Sequence, residues 1–123
     1  MLKMVNNKNM LLLNEKNKII LDNVFIANNF ISRLVGLMGK KQVKNNTGLL
    51  ISPCNSVHTF FMKFNLDIIF IDKNNIILKI YRNMSPWKIS KIHIKSIFCI
   101  EGNSGCFKLL NTGDKIKIIE KLD

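Results

Sequence analysis

A two-residue period is the feature that most constrains this chain. Val, Ile, Leu and Phe alternate with polar residues in short runs, and each run ends at a cluster of Asn, Asp, Gly, Ser or Pro. A period of two puts successive side chains on opposite faces of an extended strand, so such a pattern specifies sheet rather than helix. Lys16 to Leu21 and Val24 to Phe30 read as strands around an Asp22-Asn23 turn, and Gly48 to Ile51 reads as a short buried strand closed by Pro53. Ser56 to Met62 follows, with Val57, Thr59 and Phe61 on one face and Ser56, His58, Phe60 and Met62 on the other. Leu66 to Ile71 and Ile76 to Tyr81 flank the turn Asp72-Lys73-Asn74-Asn75, in which Asn75 suits the left-handed conformation. Ile94 to Glu101, the short segment Cys106 to Leu110, and Lys115 to Glu120 complete the series, separated by turns at Gly102 to Gly105 and Asn111 to Asp114.

One interval breaks the period. Across Ser32 to Gly39, Ser32 is a capping residue, Leu34, Leu37 and Met38 share a helical face, and Gly39 is a stop, so the spacing predicts one short helix before a polar loop at Lys40 to Thr47. About eight closely spaced strands and a single short helix predict an all-β domain. The expected form is a small antiparallel β-sandwich of jelly-roll type or a partly closed barrel. At 123 residues the chain suits one domain spanning residues 1–123. No apolar run approaches the length of a membrane-spanning helix.

The N-terminus carries lysines, but its apolar run, Met10 to Leu13, is short and no small-residue cleavage site follows. The expected location is therefore cytoplasmic, and Cys54, Cys99 and Cys106 are expected as reduced thiols. Formal net charge is +11, a value that raises the question of nucleic acid. Against it, the lysines are scattered, no polybasic block exists, and Arg33 and Arg82 stand far apart. Lys, Asn and Ile are also the residues that an AT-rich coding sequence favours.

The reactive groups concentrate between Pro53 and Asp72. Cys54 and His58 are four apart, a spacing that brings two ligands together on a helix but not on an extended segment. With Asp67, His93 and Glu101 as the remaining donors, no spacing typical of a metal site arises, and neither a metal nor another cofactor is expected. A Cys54-His58 nucleophile pair lacks a recognisable nucleophile elbow. Asp67, between Leu66 and Ile68, must find hydrogen-bond donors within the fold, with the Ser56 and Thr59 hydroxyls, the His58 imidazole and backbone amides at a strand end as candidates. The phenylalanines at strand spacing, Phe60, Phe61, Phe64 and Phe70, read as core, whereas Trp87 after Pro86 falls on a loop, where binding residues concentrate.

Taken in order, Arg33 to Gly39, Gly48 to Ile51, Cys54 to Met62, Leu66 to Asp72, Pro86-Trp87, Glu101-Gly102 with Gly105, and Gly113-Asp114 resemble the prokaryotic family called domain of unknown function 192, over roughly Ala27 to Ile119. The resemblance implies a compact β-rich fold of jelly-roll or barrel type and no established activity. The chain departs from the family pattern in turn chemistry. Asn65 stands where a Pro is common, Asn75 where a Gly is common, and Ile100 to Gly105 replaces a Leu-Glu-Leu-Pro-Ala-Gly-like run. Some members are exported, which this N-terminus does not support.

The expected function is a non-catalytic binding module for a small polar ligand or a partner protein. Its candidate site residues are His58, Thr59, Asp67 and Trp87, with Cys54 and Glu101 as additional candidates. The alternative is a small hydrolase using Cys54 or a His58-Asp67 pair, and a lesser alternative is nucleic-acid binding through the basic surface.

Overall fold

The computed structural model describes residues 9–27 and 45–121, and within them the chain is all-β. Seven strands occur in chain order: β1 (Met10–Asn14), β2 (Ile19–Ala27), β3 (Thr47–Ile51), β4 (Leu66–Ile71), β5 (Ile77–Met84), β6 (Phe98–Asn103) and β7 (Ile116–Glu120). They form one sheet in the order β5-β4-β6-β3-β2-β1-β7. Every pairing is antiparallel except β2 with β3, which is parallel.

The sheet curls until its two outer strands meet at one corner. Ile76 bridges Lys115, the Ile77 N–H donates to Asp114 O at 2.9 Å, and the Ile116 N–H donates to Asn75 O at 2.9 Å. The result is a half-closed barrel, the second of the two expected all-β forms. Gly113, at φ 93°, makes the tight approach to this corner, and its N–H donates to Ile77 O at 2.8 Å.

Both faces of the central strands are buried. Leu12, Leu21, Val24, Leu50, Ile69, Ile71, Ile100 and Ile116 fill the inside of the curl with Phe107 and Leu110 from the segment after β6. Leu49, Ile51, Leu66, Ile68, Phe70 and Cys99 point to the other face, which Val57 and Met62 cover. All six residues of β4 are buried, so both parities face packed interior, with apolar residues at every position except Asp67. Burying β4 on both sides places the loops around residues 53–64 and 85–97 over the second face.

Several expected elements are redrawn. Asp22-Asn23 is not a turn: both residues lie within β2, opposite an irregularity in the β1 register, and both backbone N–H groups donate to Asn46 O. The hairpin turn comes earlier, where Asn14 Oδ1 accepts from the Lys16 and Lys18 N–H groups and Asn17 takes φ 66°. Ser56 to Met62 is not a regular strand, since its only ladder contact among the described residues is the His58–Ile89 bridge. Ile94 to Ser96 is irregular and Phe98 begins β6, while Cys106 to Leu110 is a succession of turns. By contrast β4 is observed as expected, as is Asn75 in the left-handed region at φ 63°. The expected helix at Ser32 to Gly39, the end of the expected strand at Phe30 and most of the Lys40 to Thr47 loop lie outside the described residues.

Candidate functional site

Thr59 is the pivot of the loop layer on the second face. Wholly buried, it accepts at Oγ1 from the Lys88 N–H (2.9 Å) and donates to Ser85 O (2.7 Å), while its backbone pairs with Lys88 O and the Trp87 N–H. Its hydroxyl thus stands between the first carbonyl and the last amide of the turn Ser85-Pro86-Trp87-Lys88. A second turn, Thr59-Phe60-Phe61-Met62, is closed by the Met62 N–H donating to Thr59 O at 3.2 Å. Trp87 (φ 63°) and Phe61 (φ 67°) each occupy the third position of their turn. A left-handed residue at that position is ordinarily Gly or Asn.

Beyond Thr59 the two loops run side by side. Ser90 N–H donates to Val57 O, Val57 N–H to Ser90 Oγ, His93 N–H to Asn55 O at 2.7 Å, and Cys54 N–H to Ile97 O. Ser96 Oγ, itself buried, donates to Cys54 O at 2.9 Å. These bonds tie residues 54–59 to residues 88–97 at both ends and the middle.

Between them opens a cleft of about 420 Å³ lined by Ile51, Cys54, Asn55, Ser56, His58 and Ile89, among others. Cys54 Sγ donates to Ser56 O at 3.2 Å. His58 Nδ1 accepts from the Phe60 N–H at 3.2 Å, which places the ring proton of the neutral imidazole on Nε2. No hydrogen bond among the described residues holds the Asn55 amide or the Ser56 hydroxyl. None of the three cysteines is in a disulfide.

Asp67 is not in this cleft. On β4 it shares the inner face with Ile69 and Ile71, where Oδ1 accepts from the Asn83 N–H (2.9 Å) and Oδ2 from the Phe107 N–H (3.4 Å). His58 sits on the other side of the sheet, so the His58-Asp67 pair of the alternative reading does not form. Asp67 therefore neither faces nor orients the imidazole. Next to Asp67 lies Cys106, whose thiol is pushed far above the ordinary thiol range by burial and then by the Asp67 carboxylate. A Cβ on Gly102 would lie 2.6 Å from Cys106 Sγ, so glycine there lets the turn after β6 close over β4.

Glu101 lies buried in β6 between Leu49 and Ile68, on the face that the loops cover but away from the residues lining the cleft. Behind the cleft, Tyr81 Oη and His93 Nε2 are 2.8 Å apart over Phe70. His93 is held below its ordinary pKa by burial first, then by Lys79 and Lys91. No three His, Cys, Asp or Glu side chains converge into a metal site among the described residues.

Of the four principal candidates, then, the structure puts His58 in the cleft, Trp87 beside it on the surface, Thr59 beneath it as a bolt and Asp67 on the far face. Cys54 lines the cleft. Sequence reasoning missed Asn55, Ser56 and Ile89 as lining residues and Ser90 and Ser96 as ties. Only Asn55 and Ser56, polar residues directly after Cys54, carried a signal that could have singled them out.

The family model for domain of unknown function 192, described as Uncharacterized ACR, matches residues 11–118 and so begins at β1 rather than within β2. A UPF0127 protein from Pyrococcus horikoshii is 35% identical over 101 residues, covering 76% of this chain and 85% of the relative. One from Pyrococcus furiosus is 28% identical over 109 residues, covering 83% and 91%. Among solved structures, a Sinorhizobium meliloti protein described as a candidate transcription regulator superposes with a TM-score of 0.74 at 22% identity, covering 89% of this chain and 92% of that one. A protein of unknown function from Novosphingobium aromaticivorans gives 0.73 at 17% identity, covering 89% and 83%. At these identities the structural matches speak for the fold alone. No helix among the described residues is long and apolar enough to cross a membrane.

Proposed function

The chain belongs to the uncharacterised family of domain of unknown function 192, and from that premise we propose that it is a binding module that takes a small polar ligand in the Cys54–His58 cleft. One observation carries the reading: the cleft pairs an apolar floor with an Asn55 amide and a Ser56 hydroxyl that no internal hydrogen bond among the described residues uses. Such a mix of apolar lining and a few available polar groups is what a ligand pocket of this size ordinarily offers. Asn55 supplies two donors and an acceptor, Ser56 one of each kind, and the His58 ring lies beside them.

Catalysis through Cys54 is the second reading: a Cys nucleophile needs an adjacent base and donors for the oxyanion, and among the described contacts Cys54 Sγ donates to Ser56 O while His58 Nδ1 accepts the Phe60 N–H.

Amide NMR titration with a panel of sugars, amino acids and short-chain carboxylates tests the proposal. Shifts from at least one compound should concentrate at Asn55, Ser56, His58 and Ile89 and disappear in an Asn55→Ala/Ser56→Ala variant that melts as the parent does. Shifts that ignore the double substitution would sink the cleft as the binding site. Hydrolysis of an activated ester that is lost in Cys54→Ala would replace the module by the enzyme.

A further inference from the structure

The two turns pinned by Thr59 carry an exposed apolar surface that starts at the cleft rim, where Ile89 and His58 belong to both, and extends beyond it. Phe61 is 54% exposed, Trp87 60% and Ile89 71%, values far above those of residues held in a core. The surface is continuous through ring contacts and one backbone bridge: Phe61 meets Trp87 edge to face at 4.8 Å, Trp87 stacks on Phe60 at 5.7 Å, Phe60 lies 4.6 Å from the His58 ring, and the His58 backbone pairs with Ile89. Ile92 and Ile94, 69% and 86% exposed, continue along the same segment. Lysines punctuate it at Lys63, Lys88, Lys91 and Lys95, all exposed.

This arrangement runs against the local backbone preference. Two bulky aromatic residues hold left-handed φ values at turn positions that Gly or Asn would occupy without strain, a conformation rare for such side chains. Backbone strain of this kind persists where the surroundings over-determine it, as the buried Thr59 does here, and it concentrates at working surfaces.

We propose that these two turns dock the protein on an anionic lipid surface, with Phe61, Trp87 and Ile89 entering the headgroup–acyl boundary and the neighbouring lysines meeting the anionic headgroups. The apolar residues match the boundary region, where aromatic side chains settle and buried apolar area sets the strength of binding. Lysines beside them add attraction to anionic lipid that falls with salt. Single-stranded nucleic acid fits less well. It is held by open aromatic faces, whereas the Trp87 indole is stacked by Phe60 and abutted by Phe61, and isoleucines give no stacking surface.

The chain holds one tryptophan, so Trp87 reports on its own surface. Intact protein is titrated with vesicles of phosphatidylcholine alone and with vesicles in which part of it is replaced by phosphatidylglycerol, and separately with a single-stranded oligothymidylate. Anionic vesicles should shift Trp87 emission to the blue and brominated acyl chains should quench it, with little response to neutral vesicles. Phe61→Asn combined with Ile89→Thr should weaken partitioning about tenfold or more, because two large apolar contacts are lost. Its melting temperature should hold or rise, since Asn accepts the left-handed turn position. Three results would overturn the proposal: no emission shift with anionic vesicles, vesicle binding unchanged in the double variant, or tighter Trp87 quenching by the oligonucleotide than by vesicles. The second would reduce the effect to generic adsorption of a cationic protein. Ile89 is the one substituted residue shared with the neighbouring cleft, and none of these readings requires a ligand there.

Discussion

Asp67 shows how a carboxylate survives inside an apolar strand. Its environment supplies two backbone N–H donors from different segments, Asn83 at the end of β5 and Phe107 in the turn after β6, so the side chain ties an edge strand to the plug of the barrel. Asn in its place keeps one acceptor oxygen but turns an NH₂ toward one of those donors. Asp67→Asn should therefore cost about 1–3 kcal/mol in denaturant unfolding, and an unchanged midpoint would remove Asp67 from the structural network. His93 gives a second residue-scale prediction. Its pKa is depressed below the ordinary 6.5 by burial and by Lys79 and Lys91, so the neutral ring is favoured in the fold, with Tyr81 Oη at Nε2. Below 6.5 the unfolded chain binds more protons at this site than the folded chain does, so stability is lost as pH falls from that value toward the folded pKa. The melting temperature of the parent should drop over this interval by more than that of His93→Gln, and parallel curves would show that the titrating group lies elsewhere.

The loop pair at the scale of elements depends on one hydroxyl. Thr59→Val keeps the shape of the side chain but leaves Ser85 O and the Lys88 N–H without their partner inside a buried layer, a loss of about 2–3 kcal/mol. Because Trp87 follows the same turn, its fluorescence anisotropy should fall in the variant even well below the melting temperature. A variant equally stable and equally anisotropic would mean that backbone pairing alone holds the turns. This pair also marks the limit of what the sequence discloses. β4 and its hairpin with β5 are written in local alternation and turn residues, because the two strands form a ladder between near neighbours, whereas β7 is legible from its alternation alone and its partner β1, at the other end of the chain, is not. The 54–59 and 85–97 loops are shaped instead by hydrogen bonds across some thirty residues, such as Val57 N–H to Ser90 Oγ. Phe61 in the left-handed region has no local signature at all. The candidate site was legible in the same measure: Cys54 and His58 stood out by chemistry, and Asp67 stood out equally, yet a parity of one along β4 sends it to the opposite face.

For the molecule as a whole, charge and closure act together. A half-barrel that joins its edge strands at a single corner, Asn75 to Ile77 against Asp114 to Ile116, concentrates its surface charge on a small body. With 19 Lys and Arg against 8 Asp and Glu, and with Asp67 and Glu101 buried, the exterior is dominated by one sign. Self-repulsion of this kind works against the compact state and is screened over about 8 Å at physiological ionic strength. Raising sodium chloride from low to physiological concentration should therefore lift the melting temperature by on the order of a few degrees. The same chloride should weaken docking to anionic vesicles, because there the lysines attract rather than repel. The two responses thus have opposite signs in one salt series, and a melting temperature that falls with chloride would show that attractive pairs, not the excess of lysine, dominate the folded surface.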